Sequence, residues 1–199
     1  CGDSTLGMQV DKLMGGQDAD AVVTDPPYCS GGFQEAGKAS GSVGTRGEEM
    51  VRNDALSTRG YISLMKSVLS NTQAGIVYIF TDWRMWVNLF DLSEAAGYGV
   101  RQMIVWDKGT SGLGRGWRSQ HELILCGVAV TQPFDPHKAQ GNVVQVQRTG
   151  NIHHATEKPV ALIETILEVS DIAKEVYDPF CGSGTTIIAA ERLGRRCYA

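Results

Sequence analysis

The sequence predicts a doubly wound, mostly parallel α/β sheet with right-handed crossover connections. Strand-like and helix-like patterns alternate along most of the chain, as they do in repeated βαβ units. One strand pattern, at 174–178, leads through a glycine-rich loop into a helical run at 185–193. Another apolar run, at 20–24, ends directly in the carboxylate of Asp25. Because ligands of such sheets bind beyond the carboxyl ends of the strands, these two ends are the first candidates for a site.

Ten elements are predicted in chain order from apolar runs and from the 3.6-residue period of amphipathic helices. The predicted strands lie at about 20–24, 76–81, 100–106, 121–130, 174–178 and 195–199. The predicted helices lie near 56–70, 83–96, 159–170 and 185–193. With 199 residues and 42% apolar composition, the chain is predicted to form a single domain, 1–199, with a full core.

The tetrapeptide Asp25-Pro26-Pro27-Tyr28 directly follows the first predicted strand. Proline has no N–H and a fixed φ, so the neighbouring carbonyls are kept out of helix and sheet hydrogen bonding. These carbonyls and the Asp25 carboxylate are free to accept hydrogens from an amino group, while Tyr28 offers a flat face for stacking. The tetrapeptide suits an exocyclic amine on a nucleobase; a plain Pro-Pro turn after a strand is the alternative.

The glycine-rich loop at 178–186 reads Asp-Pro-Phe-Cys-Gly-Ser-Gly-Thr-Thr. Its glycines let the backbone approach a ligand closely, and the following helix start offers free N–H groups. No Gly-Lys-Ser/Thr follows, so it is not a P-loop, and Ile187 stands where a dinucleotide fingerprint needs its third glycine. The loop suits a cofactor with an amino acid end, such as S-adenosylmethionine; a tight strand-to-helix turn is the alternative.

Together the two motifs resemble those of the amino-group DNA methyltransferases in the circularly permuted order called the β group, of the Asp-Pro-Pro-Tyr type. The run Thr-Glu-Lys-Pro-Val at 156–160 resembles the segment that precedes the glycine loop in that group. Residues 104–109 and 117–125 resemble its central hairpin, and Gly2-Asp3 resembles a short cofactor-adenine motif. The resemblance spans nearly the whole chain in one order and implies the Rossmann-like fold of S-adenosylmethionine-dependent methyltransferases.

The resemblance also implies residue roles. Asp25 and the Pro26 carbonyl would accept the hydrogens of the target amine, Pro27 would shape the turn, and Tyr28 would stack on a flipped-out base. The cofactor-binding residues that it implies are Asp3, Asp25, Thr156, Lys158, Asp178, Phe180, Gly182, Ser183, Gly184 and Thr185. The family usually continues beyond this point to an acidic residue that holds the ribose hydroxyls. Because the chain ends at Ala199 and starts at Cys1, we expect a sequence trimmed at both ends.

Double-stranded DNA is the predicted partner, although the net charge is −4. Phosphate contacts need lysine and arginine on one face and not a basic protein as a whole. Basic residues fall in the middle of the chain among glycine-rich loops, and a solvated loop face is the alternative. The residues predicted to bind DNA are Lys108, Arg115, Arg118, Lys138 and Arg148.

Two stretches carry no predicted element. Residues 29–55 form a long connection, which predicts a mobile lid that orders over the target base or DNA. Phe33 is its single aromatic residue, either a stacking partner or an anchor for the loop. Residues 131–153 occupy the position of the family's target-recognition region, and their shortness predicts weak or short sequence specificity, or sequence readout by another part of the protein.

Aspartate at the first position of the Asp-Pro-Pro-Tyr motif resembles adenine-N6 enzymes, whereas serine there is more typical of cytosine-N4 enzymes. Adenine-N6 methylation is therefore expected, as in restriction-modification systems, with cytosine-N4 as the alternative. Methylation of RNA or of a protein glutamine, and a catalytically idle DNA-binding module, stay open as further readings. A nicotinamide oxidoreductase is disfavoured by the missing third glycine.

The remaining expectations concern compartment and assembly. The sequence has no signal peptide and no long apolar span, so a soluble cytoplasmic protein is predicted. Its five scattered cysteines are typical of reduced intracellular thiols. No metal site is expected, since the adjacent His153 and His154 do not share a strand or helix face. The family resemblance implies a possible homodimer.

Overall fold

The computed structural model describes residues 2–28, 56–112, 115–131, 138–148, 157–170 and 173–199. Within these residues seven strands form one sheet and five helices pack against it. The strands are β1 (Ala19–Thr24), β2 (Ala74–Thr81), β3 (Tyr98–Asp107), β4 (His121–Ala129), β5 (Val143–Gln145), β6 (Glu175–Tyr177) and β7 (Arg196–Tyr198). The helices are α1 (Gly7–Met14), α2 (Thr58–Ser70), α3 (Trp86–Ala95), α4 (Val160–Leu167) and α5 (Thr185–Arg192).

The strand order across the sheet is β5-β3-β4-β2-β1-β6-β7. Strand β1 pairs in parallel with β2 on one side and with β6 on the other. Parallel pairing also joins β6 to β7 and β3 to β5, while β4 runs antiparallel to both its neighbours. The predicted doubly wound, mostly parallel sheet is confirmed. The chain winds outward from β1 to β2 and, in the opposite direction, from β6 to β7, so the switch point lies between β1 and β6.

Both faces of the sheet are covered by helices. Ala21 and Val23 of β1 belong to a core cluster that includes Leu162 of α4, on one face. Val22 points to the other face, into a cluster that includes Tyr61 of α2. A strand buried on both faces needs apolar residues at successive positions, which explains why β1 reads as a continuous apolar run and not as an alternating pattern.

All ten predicted elements are present, and two further elements were not predicted. Helix α1 is short and its N-cap, Leu6, makes no side-chain capping hydrogen bond. Strand β5 has three residues and lies inside 131–153, for which no element was predicted. Part of that segment is therefore an edge strand of the sheet. The predicted lid at 29–55, with Phe33, lies outside the described residues.

No helix in the described part of the chain is both long and apolar enough to cross a membrane. The described residues also contain no group of three or more His, Cys, Asp or Glu side chains placed to hold a metal ion. His153 and His154 fall in the range 149–156, which lies outside the described residues.

Gly127, in the middle of β4, is expected to tolerate no side chain. A Cβ atom there would lie 3.0 Å from Val77 Cγ2 and 3.2 Å from Tyr98 Cβ. We expect Gly127→Ala to lower the free energy of unfolding by about 1–3 kcal/mol, measured by urea denaturation. The control is Gly99→Ala in β3, whose Cβ would meet the Val128 carbonyl oxygen at an ordinary 3.8 Å. Equal destabilisation by the two substitutions would contradict this steric explanation.

Candidate active site

Three parallel strands each deliver an aspartate to the same edge of the sheet. Asp25 follows β1, Asp82 follows β2 and Asp178 follows β6. Because β1 lies between β2 and β6, the three aspartates lie at the ends of adjacent strands. All three line an open cavity of about 1830 Å³. Asp82 was not singled out from the sequence, although it directly follows the strand predicted at 76–81.

The two carboxylate oxygens of Asp25 differ in their surroundings. Oδ2 accepts a hydrogen bond from Lys158 Nζ at 2.6 Å. Oδ1 is buried and has no hydrogen-bond partner among the described residues. Burial raises the pKa of Asp25 to about 6; Lys158 opposes this rise, while Glu122 and Asp178 add to it. At neutral pH the group is therefore mainly ionised, with one oxygen held by the protein and the other free to accept a donor.

Pro26, Pro27 and Tyr28 continue the cavity wall after Asp25. Among the described residues, no N–H or side chain donates a hydrogen bond to the Pro26 carbonyl. The Tyr28 hydroxyl donates to Glu122 Oε2 at 3.0 Å, and the side chain packs against the core cluster around α2. Burial raises the pKa of Tyr28 well above its usual range, so the hydroxyl stays protonated and continues to donate.

Lys158 lies just before α4, and its side chain is only 8% exposed. Its ammonium contacts Asp25 and also lies 3.3 Å from Glu122 Oε2. Burial alone would lower the pKa of Lys158, but the two carboxylates outweigh burial and raise it. The family resemblance implied a place near the cofactor carboxylate; here the ammonium is directed to carboxylates of this chain. Thr156, its partner in that prediction, lies outside the described residues.

The glycine loop forms the wall of the cavity opposite the Pro-Pro turn. Gly182 and Gly184 have φ values of 52° and 79°, a region that favours glycine because it has no Cβ. Gly184 is also the N-cap of α5. Phe180, Gly182, Ser183 and Thr185 line the cavity, which brings all but one of the loop residues predicted to bind cofactor to its surface. The loop therefore presents backbone and small polar groups to a ligand.

Asp178 is buried and engaged with the protein itself. Its Oδ1 accepts hydrogen bonds from Thr24 Oγ1 at 2.7 Å and from the Phe180 N–H at 3.0 Å. Burial raises the pKa of Asp178, and hydrogen bonds from Thr186, Thr24 and Phe180 oppose the rise. This carboxyl group ties the end of β1 to the glycine loop and the start of α5. Thr24, which the sequence analysis did not name, directly precedes Asp25.

Asp3 lies at the rim of the cavity, before α1. Its Oδ1 accepts hydrogen bonds from the backbone N–H and the hydroxyl of Thr5, at 2.9 and 2.6 Å. The hydroxyl bond and then the backbone bond lower the pKa of Asp3. The carboxylate is therefore ionised and held at the rim, although the two residues are exposed or half-buried.

Two of the five residues predicted to bind DNA lie apart from the other three. Lys108 is only 4% exposed, and its ammonium lies 2.5 Å from Glu122 Oε1, so it is not available to a phosphate. Lys138 pairs with Glu168 beyond the C-terminal end of α4, and that helix runs from the cavity towards the opposite end of the sheet. Sequence proximity alone had grouped them with the others. Arg115, Arg118 and Arg148 are exposed, and Arg148 lines the cavity.

Glu122 is the polar residue at the centre of the site that sequence reasoning missed. It is the second residue of β4. This strand runs antiparallel to its neighbours β2 and β3, so it begins at the edge of the sheet where they end. Burial alone would raise its pKa, but Lys158, Lys108 and the hydrogen bonds of Lys108 and Tyr28 outweigh burial and lower it. Glu122 belongs to the hairpin-like run 117–125, yet no local signal in that run distinguishes it from an exposed glutamate at the end of a strand.

A doubly wound sheet with a glycine loop and an Asp-Pro-Pro-Tyr turn at the ends of its two central strands, β6 and β1, defines a Rossmann-like class of protein. The structure resembles that of the M1.HpyAVI–SAM complex with a TM-score of 0.65. The match covers 96% of this chain and 87% of that one at 21% identity. A likeness at this identity shows the fold, and the predicted Rossmann-like fold is confirmed.

Sequence comparison defines the family. The chain is 30% identical over 184 residues to the Escherichia coli K12 protein named "Putative methylase YubD", covering 91% of this chain and 75% of that protein. It is 38% identical over 90 residues to the type II methyltransferase M1.MboII of Moraxella bovis, covering 45% and 33% of the two chains. The N6/N4 methyltransferase family model, described as DNA methylase, matches residues 137–199. The chain belongs to the N6/N4 DNA methylase family.

Proposed function

We propose that this protein is a DNA adenine-N6 methyltransferase that uses S-adenosylmethionine. The observation that carries the proposal is the unequal pair of oxygens on Asp25. Oδ2 is held by Lys158, while Oδ1 is buried, unpartnered among the described residues and ionised at neutral pH. A buried acceptor without a donor is rare in folded proteins, and an amino group is the donor that would satisfy it.

The acceptor side of the site suits an aromatic amine. Such a nitrogen is a poor nucleophile because its lone pair is delocalised into the ring. Asp25 Oδ1 accepts one of its hydrogens and the Pro26 carbonyl accepts the other, which favours a more tetrahedral nitrogen with its lone pair directed outward. The proton on that nitrogen becomes acidic only after the new N–C bond forms, and Asp25 is then placed to take it. Tyr28 holds the base by stacking.

The opposite wall suits the cofactor. Backbone at Gly182 lines the cavity without a side chain, and Phe180, Ser183 and Thr185 offer a ring and two hydroxyls. The rim carboxylate of Asp3 suits the adenine amino group that the family resemblance assigns to it. S-adenosylmethionine, when bound, would supply the electrophilic methyl group, and cleavage of its S–CH₃ bond would leave the neutral thioether S-adenosylhomocysteine. This chain's residues position the two reactants, and positioning of this kind supplies a large part of the rate of a two-reactant step.

Adenine is proposed as the target base because the first motif residue, Asp25, is an aspartate. The order of the motifs, with Asp-Pro-Pro-Tyr before the glycine loop, supports the permuted β group. Assembly as a homodimer stays a prediction, for which sedimentation of the purified protein is the measurement. Cytosine-N4 methylation uses the same acceptor chemistry and is an outcome of the test below.

The test is transfer of labelled methyl from S-adenosylmethionine to unmethylated double-stranded DNA, followed by nucleoside analysis. Label in N6-methyladenine, absent with Asp25→Ala, is the expected result. Label in N4-methylcytosine would correct the target base and retain the class of enzyme. If the wild-type protein binds the cofactor and labels neither base, the proposal is wrong; RNA and protein glutamine acceptors are then tested in the same assay.

The exposed arginines at the cavity side of the sheet are proposed to contact DNA phosphates. Arg115 and Arg118 lie in the connection between β3 and β4, beside the fully exposed Trp117, and Arg148 follows β5. Strands β3 and β5 are parallel neighbours, so both segments leave the sheet at the edge that carries Asp25. This arrangement supports a local basic surface on an otherwise acidic protein.

We expect Arg118→Ala and Arg148→Ala each to weaken binding of double-stranded DNA and to reduce the salt dependence of log K by about one unit of slope. The measurement is fluorescence anisotropy of a labelled duplex over a series of salt concentrations. Lys138→Ala is the matched control, since it also removes one positive charge but lies beyond the far end of α4. Equal slopes for all three variants would contradict the proposed surface.

A further inference from the structure

Four charged side chains of alternating sign run from the back of the cavity to the acceptor oxygen. We call Lys108, Glu122, Lys158 and Asp25 the buried charge chain after its two buried lysines; the Glu122 and Asp25 side chains are 19% and 26% exposed. Lys108 Nζ lies 2.5 Å from Glu122 Oε1, Lys158 Nζ lies 3.3 Å from Glu122 Oε2, and Lys158 Nζ lies 2.6 Å from Asp25 Oδ2. These residues come from the end of β3, the start of β4, the turn before α4 and the end of β1. Four separate segments therefore converge on one polar line.

Glu122 is the central member of the buried charge chain. Its two oxygens serve three donors: Oε1 takes Lys108, and Oε2 takes both Lys158 and the Tyr28 hydroxyl. The two lysine side chains are 5% and 8% exposed, and a buried ammonium is tolerated only when it is paired. One carboxylate therefore fixes the positions of both the lysine that binds Asp25 and the aromatic ring next to it.

The aromatic surroundings limit where the two ammonium groups can move. Lys108 Nζ lies 5.1 Å from the centroid of the Trp106 ring, and Lys158 Nζ lies 5.3 Å from that of Phe80. Each ammonium thus has a ring beside it and a carboxylate in front of it. Among the described residues, Asp25 is the only carboxylate with a buried oxygen that has no hydrogen-bond partner.

We propose that Glu122 is a positioning residue of the acceptor site. It keeps Lys158 on Asp25 Oδ2, so that Oδ1 stays available, and it holds Tyr28 at the angle needed for stacking. The inference rests on the proposed methyl transfer. Glu122 touches neither substrate nor cofactor in this account, and it acts through Lys158 and Tyr28. A purely structural glutamate would support folding, and its charge alone would shift the titration of Asp25 without a change in the plateau rate.

The plateau rate separates these two roles, and the pH dependence of the rate reports the charge of Glu122 at Asp25. The charged groups that act on Asp25 are Lys158, which lowers its pKa, and Glu122 and Asp178, which raise it. Because Asp25 accepts hydrogens only as a carboxylate, the rate is expected to fall as the pH drops through about 6. Removing the negative charge of Glu122 lowers the pKa of Asp25, so the acidic limb moves to lower pH.

The experiment compares wild type with Glu122→Gln in single-turnover methyl transfer to duplex DNA between about pH 4 and pH 8, a range of roughly two units on each side of the Asp25 titration. We expect the plateau rate to fall by about 10- to 100-fold and the midpoint of the acidic limb to move down by about one pH unit. Affinity for S-adenosylmethionine, measured by calorimetry, is expected to stay unchanged. Glu168→Gln, an exposed glutamate beyond the far end of α4, is the matched control and should behave as wild type.

A second variant covers the case in which Glu122→Gln does not fold. Lys108→Met/Glu122→Gln removes one positive and one negative charge. Lys108 is then no longer present as a buried ammonium without a partner, and Lys158 keeps Asp25 as its partner. The double variant is expected to show the same shift of the acidic limb. In either variant, if folded, a plateau rate equal to that of wild type overturns the positioning role, and an unshifted limb contradicts the charge coupling between Glu122 and Asp25. Failure of wild type to methylate either base instead overturns the proposed function, so the two failures are distinct.

Discussion

Replacement of Asp25 by alanine is expected to lower the single-turnover rate of methyl transfer by about 10³-fold while the affinity for S-adenosylmethionine stays largely unchanged. The substitution removes the buried Oδ1 acceptor, which is the group proposed to hold and later deprotonate the amine. It should not unfold the protein, because Lys158 keeps its contact with Glu122 at 3.3 Å. The glycine loop belongs to β6 and α5, so the cofactor side keeps its own support.

Asp25→Asn is the sharper variant at this position. Asparagine preserves the shape of the side chain but has a single oxygen acceptor. The Lys158 ammonium, 2.6 Å from Oδ2, will take that oxygen. The amide NH₂ then occupies the place of Oδ1 and presents a donor to the hydrogens of the target amine. We therefore expect Asn to be as inactive as Ala, and substantial activity in Asp25→Asn would contradict the acceptor role.

The aspartates at the switch point could be predicted because each follows its strand directly in sequence. The run Ala21-Val22-Val23 is apolar at successive positions because β1 is buried on both faces, and this makes the end of the strand easy to locate. The strand–glycine loop–helix unit at 174–193 is likewise a local signal. Once both strands are assigned to one parallel sheet, the meeting of Asp25 with Asp178 follows from topology, although 153 positions separate them.

What the sequence did not reveal depends on pairings that have no local signature. Strand β5 has only three residues and is held by parallel pairing with β3, about 38 positions earlier in the chain. Lys108 and Lys138 look alike in sequence, yet the first is buried against Glu122 and the second lies at the far end of the sheet. The buried charge chain joins residues 14, 36 and 133 positions apart in sequence, and only the folded sheet brings them together.

Replacement of Asp178 by alanine is expected to weaken binding of S-adenosylmethionine by about 10- to 100-fold and to lower the free energy of unfolding by about 2–4 kcal/mol. The carboxyl is 4% exposed and accepts hydrogen bonds from the Thr24 hydroxyl and the Phe180 N–H. Alanine leaves both donors buried without a partner, and it releases the glycine loop from the end of β1. Calorimetry with the cofactor and urea denaturation are the two measurements.

Asp178→Asn should behave quite differently from Asp178→Ala. The asparagine oxygen can replace Oδ1 and accept from Thr24 and Phe180, while its NH₂ group can donate to the Thr186 hydroxyl, which accepts as readily as it donates. Burial already raises the pKa of Asp178, so a neutral side chain is not penalised there by loss of charge. Asn is therefore expected to keep most of the cofactor affinity that Ala loses. Substitution by asparagine is thus expected to be tolerated at Asp178, whose oxygen stabilises the fold, and not at Asp25, whose free oxygen binds the substrate. Equal losses of cofactor affinity in Asp178→Asn and Asp178→Ala would contradict this division of roles.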